Sequence, residues 1–130
     1  MTVGLDTSFF VKLLHGDRRA AVVWDRIARR EIAAVIGCVS LYELERLGLK
    51  GVLARTAVET LQEEILFVCR VIWLDAPARL RQAARLAHGN GLGMADALIL
   101  ASLIEAGAAE IYTADANFAA YRSGPNIVLL

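Results

Sequence analysis

The stretch that most constrains this chain is residues 93–107, Gly-Met-Ala-Asp-Ala-Leu-Ile-Leu-Ala-Ser-Leu-Ile-Glu-Ala-Gly. Nearly every position from Met94 to Ala106 is apolar or small, and Gly107 supplies a helix stop. A helix that is apolar on all sides belongs in the middle of a domain. Asp96 nevertheless sits one turn in, among Leu98, Ile99 and Leu100. A carboxylate there needs a partner or a shifted pKa, because burying an unpaired charge is costly. Asp96 either caps its own helix behind Gly93, where an acid suits the macrodipole, or joins other acids in a site.

The rest of the chain alternates short apolar runs with helical patterns. Residues 2–5 read as a strand ending at Asp6, and 7–14 as a helix closed near Gly16. From Asp17 to Glu31, Ala20, Val23, Trp24 and Ile27 fall at i, i+3, i+4 and i+7, which predicts an amphipathic helix with an Asp N-cap. Ile32 to Cys38 has strand length, and Ser40-Leu41-Tyr42-Glu43 is expected to open the next helix. A helix over 51–66 shows Ala54, Val58, Leu61 and Ile65 along one stripe. Residues 70–74 read as a third strand. Pro77 then starts a helix, where its missing N–H costs nothing. Leu80, Ala83, Ala84 and Ala87 are expected to face inward there. A loop over 89–93 leads into the central helix. Strands are expected at 110–113 and 126–130, with a short helix opened by Asp115. This alternation predicts a three-layer α/β/α domain over residues 1–130, with a mainly parallel sheet of four to five strands.

Composition removes several classes. Hydrophobic residues make up 57% of the 130 positions, so disorder is excluded. No apolar run reaches the roughly 18–20 residues of a membrane span. No basic lead followed by an apolar segment and a cleavage site opens the chain, so a cytoplasmic protein is expected. Cys38 and Cys69 are too few and too far apart for a zinc site, and two buried free thiols are expected. Fourteen basic residues balance fourteen acidic ones. With four acids committed to a site, ten remain, and the basic residues are then in excess by four. Twelve of the basic residues are Arg, the side chain suited to bidentate phosphate contacts.

Four acids stand at element junctions. Asp6, Glu43 and Asp115 each follow a predicted strand and begin a helix, and Asp96 begins one after a glycine loop. In open parallel sheets, ligands bind at the carboxyl ends of the strands, so these four are expected to converge there. Each also has a purely structural reading. Asp6 would be a plain N-cap, Ser40 and Glu43 a capping box, and Asp115 the head of an Asx-turn. If the acids converge, a cation is required: two carboxylates about 4 Å apart repel by about 4 kcal/mol at an effective dielectric near 20. Oxygen-only donors suit Mg²⁺ or Mn²⁺. Such ions orient phosphate oxygens and activate water, which points to phosphodiester hydrolysis without a covalent protein intermediate.

At Leu-Asp-Thr-Ser (5–8), Ser-Leu-Tyr-Glu-Leu (40–44), Met-Ala-Asp-Ala-Leu-Ile (94–99) and Thr-Ala-Asp-Ala-Asn-Phe (113–118), the chain resembles the PIN-domain family. Within it the likeness is to the VapC-type toxins of toxin–antitoxin pairs. Order, spacing and length agree over essentially the whole chain. The resemblance implies a Mg²⁺/Mn²⁺-dependent endoribonuclease, a cognate antitoxin that blocks the site, and a homodimer. It also implies that Asp6, Glu43, Asp96 and Asp115 are the catalytic acids, with Asp6 and Asp96 the principal metal ligands. Glu43 and Asp115 would act directly or through waters. Ser8 would bond within the same shell, Thr113 would orient Asp115, and Asn117 would support a second metal position.

Two other readings are kept. One is a metal phosphohydrolase for small phosphate esters, and Ser8 lies where the second acid of an aspartyl nucleophile would be needed. The other is a non-catalytic module that binds RNA or a partner. Arg81, Arg85 and His88 share a helix face that could grip RNA phosphates or simply be solvated. His15 reads as a helix-end residue, and Trp24 and Trp73 as core. Helices 17–31 and 51–66 offer apolar faces that either form a partner groove or bury in the core.

Overall fold

The computed structural model describes residues 1–130, with the side chain of residue 120 left aside. Five strands are present: β1 (Thr2–Leu5), β2 (Ala33–Gly37), β3 (Cys69–Ile72), β4 (Glu110–Thr113) and β5 (Asn126–Leu129). They form one sheet in the order β3-β2-β1-β4-β5, with every pair parallel. Gly4 of β1 lies opposite Val35 on one side and Ile111 on the other. The chain winds outward from β1 to β3, then returns to place β4 on the other flank of β1. The strand order therefore reverses between β1 and β4, the position where open α/β sheets bind ligands.

Helices cover both faces. On one side lie α1 (Thr7–Leu14), α2 (Arg18–Ala28), α3 (Cys38–Leu49) and α4 (Arg55–Val68). Their core includes Phe9, Phe10, Val23, Ile27, Leu44, Leu61 and Ile65, packed on Val3, Leu5 and Ile36 of the sheet. Val23 and Ile27 of α2 and Leu61 and Ile65 of α4 are thus spent in the protein's own core, while Val22, Leu66 and Phe67 of the same helices stay exposed. On the other side lie α5 (Pro77–Asn90) and α6 (Met94–Glu105). There Ile99, Leu100 and Leu103 pack on Val35 and Ile111. The expected three-layer arrangement is the one observed.

The central helix α6 is seated by two glycines. A Cβ at Gly4 would stand 3.1 Å from Leu103 Cδ1, and one at Gly37 would stand 3.3 Å from Ser102 Cβ and 3.4 Å from Ile99 Cα. Only a strand without side chains at these points lets α6 lie this close. That depth carries the first turn of α6, with Asp96, toward the carboxyl ends of the strands.

Several local expectations need correction. The third helix begins at Cys38, directly behind β2, and its N-cap Gly37 makes no side-chain cap bond. Ser40 and Glu43 therefore lie inside α3 and form no capping box. Gly51 has φ +77° and ends α3, which delays α4 to Arg55. The loop before α6 is shorter than expected, because α5 runs through Gly89 to Asn90 and is closed by left-handed Gly91. On α5, Ala83 is buried, but Leu80 is 51% exposed and Ala84 is also exposed. Trp73 is 54% exposed, since β3 stops at Ile72 and no helix covers the next residue. Trp24 is half-buried and packs edge-on against Phe10. His15 closes α1. Cys38 and Cys69 are free but half-buried, and burial pushes the Cys69 thiol up to about 12. Among the described residues, no helix is long and apolar enough to cross a membrane.

Candidate active site

Asp6 follows β1 at the point where the strand order reverses. It is 4% exposed. Its Oδ1 accepts from the Phe9 amide at 3.0 Å and from the Ser8 hydroxyl at 2.7 Å. Its Oδ2 accepts from the Thr113 hydroxyl at 2.6 Å. The Phe9 bond is an ordinary helix cap. The Thr113 bond is not, because it ties the end of β1 to the end of β4 across 107 positions. A carboxylate oxygen accepts about two hydrogen bonds, so Oδ1 is filled and Oδ2 keeps one lone pair. Burial raises the Asp6 pKa. The bonds from Thr113, Ser8 and Phe9 oppose that rise, and the nearby Asp115 charge adds to it.

The same polar cluster fixes Asp115. Thr113, fully buried, accepts from the Asp115 amide at 2.9 Å, and Ser8 Oγ accepts from the Ala114 amide at 2.7 Å. Asp115 Oδ1 accepts from the Asn117 amide at 2.9 Å, which starts the 3₁₀ turn at Ala116–Ala120. Asn117 itself is exposed.

Glu43 reaches the site from α3. Thr7 Oγ1 lies 2.6 Å from Glu43 Oε1 and 3.0 Å from Ser40 Oγ. One hydroxyl proton serves one acceptor, and the carboxylate, as the shorter and charged partner, takes it. Ser40, fully buried, then closes the chain of bonds. Sequence reasoning missed Thr7 and Ser40 in this role. Thr7 does lie inside the Leu-Asp-Thr-Ser match, which was the available signal. Thr7 and Ser8, adjacent at the start of α1, therefore serve different acids.

Asp96 differs from the others. The N-cap of α6 makes no side-chain bond, and among the described residues no hydrogen bond reaches the Asp96 carboxylate. Its pKa is raised, first by burial and then by the charges of Asp115, Glu43 and Asp6. The four acids are thus close enough to repel one another through Asp96, although they come from four separate elements. None of the ion pairs among the described residues includes any of them. Arg81 and Arg85 are exposed on α5 and pair with none of the four.

The donor set fits a hard divalent cation. It offers only oxygens, none of its members forms an ion pair among the described residues, and each keeps an unused lone pair, as Mg²⁺ and Mn²⁺ require. The fit is to an open site. Among the described residues, no three acid, His or Cys side chains stand close enough to enclose an ion. Ions of this kind keep several waters, and like charges without a counter-ion are expected to stand apart.

Comparison with curated proteins by sequence finds no match. Among solved structures, the chain is similar to VapBC2 from Rickettsia felis bound to a DNA fragment from its promoter. The TM-score is 0.73 at 16% identity, covering 100% of this chain and 99% of that one. It is also similar to VapBC-1 from nontypeable Haemophilus influenzae, with TM-score 0.71 at 13% identity over 99% and 98% of the two chains. A toxin–antitoxin complex from Klebsiella pneumoniae gives TM-score 0.68 at 20% identity over 97% and 95%. At these identities the likeness is one of fold. A family model described as PIN domain matches residues 3–123, nearly the whole chain, and the protein belongs to the PIN domain family.

Proposed function

We propose that this protein is a Mg²⁺- or Mn²⁺-dependent endoribonuclease, the toxin of a VapBC-type pair. The observation that carries the reading is a group of acids that form no ion pair: four carboxylates near the strand-order reversal, one of them, Asp96, raised in pKa first by burial and then by the charges of the other three. Membership of the PIN family, whose members are generally nucleases, supports it. The similar folds found in VapBC complexes support the toxin role and a cognate antitoxin as partner. A homodimer and a cytoplasmic location are part of the same proposal.

Asp6 and Asp96 would be the principal ligands. Asp6 offers the free lone pair of Oδ2 from a carboxylate locked by Ser8, Phe9 and Thr113. Asp96 offers a carboxylate with no competing bond. Thr7 fixes the Glu43 head through Oε1, leaving Oε2 without a hydrogen bond, and Thr113 sets the Asp115 backbone. Asn117 would assist a second ion, and Arg81 and Arg85 would meet RNA phosphates at the rim. A bound Mg²⁺ or Mn²⁺ supplies activated water and neutralises phosphate charge. The chain's own work is to hold the acids in place against their mutual repulsion. The products would carry a 3′-hydroxyl and a 5′-phosphate.

The test is incubation of the purified protein with RNA and Mn²⁺, with and without chelator, beside Asp96→Asn. Cleavage that chelator stops and the variant lacks supports the proposal. RNA binding without cleavage, or turnover of a small phosphate ester alone, contradicts it.

A further inference from the structure

A recess of about 380 Å³ opens between α1 and the chain leaving β4. Ser8, Lys12 and His15 line it from α1, and Ala114 lines it from the other side. They stand at i, i+4 and i+7, so the three share one face of α1. Ser8 and Ala114 already belong to the polar cluster at Asp6: Ser8 Oγ donates to Asp6 Oδ1 and accepts from the Ala114 amide. The recess is therefore continuous with the acids on the Ser8 flank, whereas Glu43 joins them through Thr7.

Lys12 is half-buried, yet among the described residues it forms no ion pair. Asp17 also lines the recess, but its Oδ1 accepts from the Ala20 amide at the head of α2 and it does not pair with Lys12. A cation in the last turn of a helix answers the helix dipole wherever it points. What sets Lys12 apart is that it lines a recess opening onto the acid cluster.

An RNA strand with one phosphate at the acids carries its neighbouring phosphates past carboxylates that repel them. A metal ion neutralises charge at the centre, and the flanking phosphates need cations of the protein. The chain carries no net charge, so that attraction has to be local. Lys12 lies four residues beyond Ser8, about 6 Å along the helix axis, which is the reach of a single nucleotide. Its ammonium offers three donors, and the His15 ring carries at least one N–H in either protonation state.

We propose that this recess is a phosphate subsite, in which Lys12, assisted by His15, holds the RNA phosphate adjacent to the scissile one. The inference rests on the nuclease reading and adds a pair of substrate-binding residues that sets the register of the strand across the acids.

The experiment uses the full chain carrying Asp96→Asn, with Mn²⁺, and single-stranded RNA oligonucleotides in which one phosphate at a time is replaced by an uncharged methylphosphonate. Neutralising the phosphate held in the recess is expected to weaken binding about threefold. In a chain that also carries Lys12→Gln, that one replacement is expected to have no effect, while replacements elsewhere keep theirs. Lys12→Gln is also expected to flatten the salt dependence by about 0.7 in log–log slope, one phosphate on a single strand, and Lys12→Arg to preserve it. His15→Ala is expected to weaken binding about twofold. The same position profile with and without Lys12, or an unaltered salt slope in Lys12→Gln, would overturn the subsite. Wild-type protein with Mn²⁺ is scored for RNA cleavage in parallel. If it leaves RNA uncut while the profile depends on Lys12, the nuclease reading fails and the recess stands as an RNA contact. If it cuts RNA while the profile ignores Lys12, the subsite fails and the nuclease reading stands.

Discussion

Replacing Asp96 by Asn should make the metal-free protein more stable. Asp96 is half-buried, accepts no hydrogen bond, and carries its charge beside three others of the same sign. Unit charges roughly 8 Å apart at an effective dielectric of 40–80 repel by about 0.5–1 kcal/mol. Partial exposure and salt screening reduce the sum over three partners to about 1–1.5 kcal/mol. A domain of this size gains about 3 °C per kcal/mol, so the expected rise in Tm at pH 7 with chelator is about 3–5 °C. The sign follows from linkage. The folded carboxyl titrates above its ordinary 3.8, so the native state binds the proton more tightly, and wild type is penalised once the pH rises through the folded pKa. The advantage of Asn is full above that pKa and fades as the pH falls toward 3.8. Thermal unfolding by circular dichroism at pH 7 and pH 4 reads both. Mn²⁺ should narrow the gap at pH 7 and, where the variant binds far more weakly than wild type, reverse the order, because wild type gains more from binding. A variant less stable than wild type at pH 7 with chelator, or a gap that does not change with pH, would refute the reasoning.

Thr113→Val keeps the shape but removes the donor to Asp6 and the acceptor for the Asp115 amide. Loss of these buried bonds is expected to cost about 2–4 kcal/mol, a fall of about 6–12 °C, with Thr113→Ser close to wild type in the same scan. Gly37→Ala would push a methyl against Ile99 and Ser102. A cost of about 1–3 kcal/mol is expected, together with lost cleavage, since α6 carries Asp96; chemical denaturation and an RNA assay check the two. Cys69, with its thiol near 12 against an ordinary 9.0, should alkylate at pH 8 roughly a thousandfold more slowly in the native protein than in urea, counted by mass spectrometry.

The order of elements was legible because each strand is a short apolar run and most helices carry start or stop signals. Asp6 could be placed at the end of β1 and Asp17 at the head of α2 for that reason. The start of α3 was not legible. Ile32 to Val39 is apolar throughout, and in such a run strand and helix have the same appearance; Gly37, without a side chain, leaves no cap to read. The inner face of α5 was misjudged because alanines recur on several of its faces, so spacing does not select one. Pairing of Thr7 with Glu43 spans 36 positions and exists only once α1 and α3 pack on the same sheet face. The four acids could be chosen from their junctions, but their separation could not. It depends on hydroxyl groups that hold Asp6 and Glu43 individually rather than together.

The central claim is that these acids, remote in sequence, bind one kind of ion in common. A Mn²⁺ titration followed by electron paramagnetic resonance tests it most directly, on wild type, Asp6→Asn and Asp96→Asn. Saturable binding in wild type, weakened at least tenfold by either substitution, is the predicted result. Equal Mn²⁺ affinity in all three proteins, or no saturable binding in wild type, would contradict the account.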